Sequence, residues 1–167
     1  MSWPGGLPAA ASFLGDFLPD EATTKEMALE HCRRVNAGEL EELLKLYAPA
    51  VRFEDPVGSG ERIGHGALRS HVRNAMACRV NEVPVAEPVG SPTGRYAAIE
   101  VTSTMNYLPN GPLMARTGVF APPGDPETAR IRIACVMVIR VGADGLIDDM
   151  RSYWGPSDVF LLEGSDQ

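Results

Sequence analysis

The residues able to do chemistry in this chain of 167 residues are a few carboxylates set in apolar surroundings. Asp55 closes the run Phe53-Glu54-Asp55-Pro56-Val57, where strand alternation puts Phe53 and Asp55 on one face. If Phe53 points inward, Asp55 goes with it. A carboxyl there is costly unless it is hydrogen-bonded or protonated, and its pKa is expected to rise. The competing use of an Asp before Pro is an Asx turn. Glu82, in Asn81-Glu82-Val83-Pro84, begins a strand and by itself reads as a solvated strand-end residue. His31 falls on the inner face of a helix between Met27 and Val35, where a satisfied core histidine is commoner than a catalyst. Tyr47 and Tyr107 read as inner-face aromatics, in the core or in a pocket wall.

Other chemistries fail on spacing. Gly58-Ser59-Gly60 with Gly64 is not a dinucleotide fingerprint, because the intervals are wrong and no strand–helix–strand unit follows. His31, His65 and His71 lack zinc-ligand spacing with each other or with Cys32, Cys78 and Cys135. There is no GxSxG nucleophile elbow. No metal and no cofactor are therefore expected. The net charge of −7 argues against nucleic acid or an anionic membrane as partner, since phosphate binding needs clustered Lys and Arg. Three widely spaced cysteines in apolar runs suit a reducing cytoplasm. Met1 to Leu18 has no basic residue and does not read as a secretory signal.

The elements that must position these groups follow from periodicity. Residues 1–20 read as a partly ordered N-terminal extension with a small apolar cluster, Phe13, Leu14, Phe17 and Leu18. Residues 21–160 form a single domain, and 161–167 a C-terminal tail. A helix from Asp20 to Val35, capped by Thr23 or Thr24, turns at Asn36-Ala37-Gly38 into a second from Glu39 to Ala48. A short strand, Val51–Asp55, precedes a glycine-rich loop and a third helix, Ala67–Cys78. Strands are then expected at Val80–Val89, Tyr96–Leu108, Leu113–Phe120, Arg130–Val141 and Leu146–Tyr153. Pro109–Pro112 and Gly142–Gly145 read as hairpin turns. The stretch from Arg130 has one apolar face, Ile131, Ile133, Cys135, Met137, Ile139 and Val141. The fold class is α+β: a curved antiparallel sheet with three helices on its concave face and an apolar interior able to hold a ligand.

Leu-Tyr-Ala at the end of the helical hairpin, Phe-Glu-Asp-Pro-Val-Gly, Gly-His-Gly-Ala-Leu and Met-Arg-Ser-Tyr-Trp resemble the ketosteroid-isomerase-like branch of the nuclear transport factor 2 fold, over about Lys25 to Val159. Within it, the segments Ala28–Gly38, Glu54–Gly58, Met105–Leu113 and Ser152–Asp158 are most similar to epoxide hydrolases of polyether ionophore biosynthesis. The resemblance implies a cone-shaped domain, often a homodimer. The isomerase's general base falls on Asp55, its oxyanion-hole tyrosine on His31 and its protonated aspartic acid on Met137, which argues against steroid isomerisation. The epoxide-opening enzymes' Asp and Glu fall on Asp55 and Glu82. Met105, Met137 and Trp154 then join His31, Tyr47 and Tyr107 as the expected substrate-binding set.

A carboxyl pair suits opening of an epoxide by a hydroxyl of the same polyketide chain. Two nearby acids push their pKa values apart, which supplies both an acid and a base. The expectation is Glu82 as base and Asp55 as acid, a pairing that could equally be swapped. Two rivals stand beside this one. One is a polyketide cyclase that closes a pyran or carbocycle without an epoxide; the other is a non-catalytic binding protein for an apolar metabolite.

Overall fold

The computed structural model describes residues 19–164, so the expected apolar cluster at Phe13–Leu18 lies outside it. Helix α1 (Glu21–Ala37) begins one residue after Asp20, whose carboxylate accepts the Thr23 N–H at 2.7 Å. Asp20 is thus the cap, not Thr23 or Thr24. Thr24 is instead buried, its hydroxyl donating to the Gly94 carbonyl. Gly38, at φ +70°, ends α1 in the left-handed conformation that favours glycine. Helix α2 is only Leu40–Leu44, shorter than expected, because the chain is already extended at Tyr47.

Strand β1 (Tyr47–Glu54) leads through β2 (Arg62–Ile63) into α3 (Gly64–Ala77). The expected strand at Val80–Val89 is two short ones, β3 (Asn81–Pro84) and β4 (Val89–Gly90), both paired with β5 (Tyr96–Asn106). The segment expected as a hairpin and strand at 109–120 is instead a short helix, α4 (Gly111–Arg116). Pro112 in its first turn supplies the fixed φ a helix start prefers. Gly111 is required there, because a Cβ would lie 2.3 Å from the Tyr107 ring. Strand β6 (Arg130–Val141) has the expected limits, and β7 (Ile147–Tyr153) follows a turn closed by Gly142 N–H to the Leu146 carbonyl at 2.8 Å. Strand β8 (Val159–Leu162) pairs with β6 and runs into the segment expected as tail.

The sheet order is β2-β1-β7-β6-β5-β3. It is not wholly antiparallel. β1 lies parallel to β7, because it arrives from the helical layer and joins the far side of the β5–β6–β7 meander. The apolar face of β6 is inward as expected: Ile131, Ile133, Met137, Ile139 and Val141 are all buried, the last three in the main core with residues of α1 and α3. A second cluster, Tyr107, Ala129, Ile131, Ile133 and Val159, closes the end beneath α4. Among the described residues no helix is long and apolar enough to cross a membrane.

Candidate active site

A cavity of about 660 Å³ opens between the inner sheet face, α3 and α4. Asp55 and Glu82 both line it, on opposite sides. Asp55 follows the last residue of β1, whose Phe53 is fully buried, so alternation carries the carboxylate inward as expected. Its loop is tied down from behind. Glu54 accepts the N–H groups of Gly58 and Gly60 at 2.7 and 3.1 Å, and Arg151 of β7 bridges Glu54 and Glu61 at 3.1 and 2.6 Å.

Each oxygen of Asp55 has its own donor. Trp154 Nε1–H reaches Oδ1 at 2.7 Å, and His71 Nε2 lies 2.9 Å from Oδ2. Arg62, which can only donate, approaches His71 Nδ1 at 3.3 Å, which leaves the ring proton on Nε2 to face Asp55. Burial pushes the Asp55 carboxyl up, but hydrogen bonds from His71, Trp154 and Ser152 outweigh it and hold the pKa below its ordinary value. The expected elevation is therefore reversed: Asp55 is the stable carboxylate.

Glu82 sits on β3, the edge strand. The Asn36 side chain at the end of α1 takes the place of a neighbouring strand there. It accepts the Glu82 N–H at 2.6 Å and donates to the Glu82 carbonyl at 2.7 Å. The Glu82 carboxyl is turned into the interior, where burial first, and the negative charge of Asp55 second, raise its pKa to about 7, against a lowering hydrogen bond from Cys32. His31 Nε2 stands 3.6 Å from Glu82 Oε2, and Nδ1 lies 2.6 Å from the Tyr47 hydroxyl. Burial holds the His31 pKa down to about 4, so the ring is neutral, and burial raises the Tyr47 phenol, which keeps its proton. A Tyr47 hydroxyl that donates to Nδ1 leaves the imidazole proton on Nε2, the atom that faces Glu82.

The expected set is only partly brought together. Asp55, Glu82, Met105 and Trp154 line the cavity. His31 and Tyr47 form a second layer behind Glu82. Met137 and Tyr107 are core residues, Met137 beneath the helices and Tyr107 packed on Gly111 and Phe120. Trp154 does more than line the wall, because its indole N–H bonds Asp55 and helps to keep it ionised. His71 was missed, although a signal existed: it stands three residues after Leu68 and four before Ala75, on the inner face of α3. Asn36 carried no comparable signal.

The family model described as the SnoaL-like domain matches residues 28–150, from the inner face of α1 to β7. The chain belongs to the SnoaL-like domain family. This SnoaL-like chain is 52% identical over 147 residues to epoxide hydrolase LasB of Streptomyces lasalocidi, an alignment covering 87% of this chain and 52% of that protein. It therefore spans about half the length of that curated relative. Among solved structures, it matches SalBIII, an epoxide hydrolase/cyclase-like enzyme described in pyran ring formation in polyether salinomycin, with a TM-score of 0.71 and 26% identity. That match covers 86% of this chain and 98% of SalBIII.

Proposed function

We propose that this SnoaL-like protein is a cofactor-independent, epoxide-opening cyclase that forms cyclic ether rings on a polyketide chain. The observation that carries the reading is the opposed protonation of the two cavity carboxyls: Asp55 is ionised by its donors and Glu82 has a pKa of about 7. Asp55 takes the proton from a substrate hydroxyl, whose oxygen attacks an epoxide carbon. As that C–O bond forms, the epoxide C–O bond breaks and Glu82 gives its proton to the released oxygen. The substrate is isomerised, and solvent returns the proton balance when the product leaves. The naming of both relatives supports this chemistry.

This assignment makes Asp55 the base and Glu82 the acid, the swap that the sequence left open. General acid–base help of this kind is worth roughly 10²–10⁴-fold, and folding a flexible chain against one epoxide carbon adds more. His31 and Tyr47 act as positioning residues behind Glu82. A cytoplasmic location is part of the same proposal, supported by three free cysteines that suit a reducing compartment. A homodimer is part of the same reading, because the outward sheet face exposes Tyr96, Val136, Tyr153 and Phe160, apolar surface that a second copy would cover. Sedimentation of the wild type against Val136→Glu tests it; a monomeric wild type removes the dimer.

The deciding experiment incubates the protein with a synthetic hydroxy-bisepoxide, with products separated by chromatography and identified by NMR. Cyclic ethers of enzyme-set regiochemistry from wild type, lost in Asp55→Asn and Glu82→Gln, are the expected result. An epoxide left intact by wild type overturns the epoxide reading in favour of another cyclisation or of binding alone.

A further inference from the structure

The inner sheet face between the two carboxyls is apolar except for one oblique row. Asp55 follows β1 and Glu82 is on β3, so three strands, β7, β6 and β5, separate them. Each contributes one small polar side chain: Ser152, Cys135 and Ser103. Ser103 is the register partner of Glu82, and Ser152 pairs with Met137, one inward position along β6 from Cys135. The Cys135 thiol meets both serine hydroxyls, and Ser152 also borders Asp55, so the row is continuous. The other inward residues on these strands include Val101, Ile133 and Met150, all apolar and buried.

The serines are only 7% and 5% exposed, yet both reach the cavity. Ser152 gives its proton to Asp55, whereas the Ser103 hydroxyl meets only the Cys135 thiol in this row, which leaves its proton able to turn into the cavity. Small side chains here also leave the floor low beneath the point where the reacting atoms meet. Resting on the epoxide-opening reading, we propose that Ser103 and Cys135, bounded by Ser152, form a subsite that receives a further oxygen of the substrate, an ether or second epoxide flanking the reacting pair. The row selects polyoxygenated chains over hydrocarbon ones of the same shape. It also fixes which epoxide carbon faces the nucleophile, because an oxygen held on the floor sets the position of the chain along the cavity.

The test uses two paired comparisons. In the first, kcat/KM is measured for a hydroxy-bisepoxide and for its analogue with the second epoxide replaced by cyclopropane. In the second, calorimetry compares a bis-tetrahydrofuran ligand with its bicyclopentyl counterpart. One neutral hydrogen bond is worth about 3–10-fold, so the oxygen-bearing member of each pair is favoured by about that factor per bond in wild type. In Ser103→Ala, and more so in the Ser103→Ala/Cys135→Ala pair, that preference closes while the hydrocarbon ligand still binds. Binding of the hydrocarbon reports an intact cavity. Ser152 is left in place, since it donates to Asp55. Equal treatment of both ligands by wild type, or a preference unchanged in the double variant, overturns the subsite. Because binding is read without turnover, a protein that opens no epoxide yet discriminates the ligands keeps the subsite while the epoxide reading falls.

Discussion

The assignment of Asp55 as base and Glu82 as acid makes a directional prediction about pH. Activity requires Glu82 protonated, and its pKa is about 7. The protonated fraction of such a group is about 0.9 at pH 6, about 0.09 at pH 8 and about 0.01 at pH 9. Hence kcat/KM for a hydroxy-bisepoxide falls about tenfold from pH 6 to 8 and about 90-fold from pH 6 to 9. The assay is initial rate of ring closure at constant ionic strength, with spontaneous opening subtracted. Glu82→Gln lowers the rate by about 10²–10⁴-fold and removes the descending limb, since an amide does not titrate. Cys32→Ala removes the hydrogen bond that lowers the Glu82 pKa, and so moves the limb to higher pH. A rate that climbs through pH 7 refutes the reasoning, for it would mean that Glu82 works as the carboxylate.

His71→Asn or Trp154→Phe deprives Asp55 of a donor, raises its pKa and moves the acid limb of the same profile upward; an unmoved limb removes these residues from the base's setting. Asn36→Ala frees the edge of β3 and costs about 1–2 kcal/mol of stability for two lost hydrogen bonds. It also lets water reach Glu82, so the descending limb shifts to lower pH, a change that a purely structural loss would not produce. Stability itself carries two opposed pH dependences. Glu82, raised from 4.5 to about 7, contributes stability that is full below pH 4.5 and is lost as pH rises through 7. His31, lowered from 6.5 to about 4, contributes stability that is full above pH 6.5 and is lost as pH falls through 4. Each amounts to about 3 kcal/mol, so they nearly cancel between pH 4.5 and 6.5. Denaturant unfolding of wild type is then flat across that window, whereas Glu82→Gln gains stability as pH rises; parallel curves for the two proteins would contradict the pairing.

Local pattern was enough wherever one face of an element meets the core along its whole length. The strict alternation from Ile131 to Val141 located β6 and its inward face, and the glycines at 142 and 145 located the turn after it. The same alternation turned Asp55 inward with Phe53. Pattern failed where an apolar run is short: Leu113 and Met114 suit a strand or a helical turn equally, and Pro112 with the close approach of Gly111 to Tyr107 decides for helix. It failed also for the β1–β7 pairing, since no local signal tells a strand from which side it will be joined.

The sequence by itself determined an apolar α+β cone and the inward turn of Asp55, because residue type and periodicity are local properties; Glu82 entered only through the family resemblance. Which carboxyl holds the proton was decided by the tertiary structure alone. The donors that ionise Asp55 come from 16 and 99 residues away, on α3 and beyond β7. The burial that raises the Glu82 pKa comes from α1 closing over an edge strand. A pKa is set by what surrounds a group in space, and those neighbours exist only once the sheet has curved and the helices have closed on it.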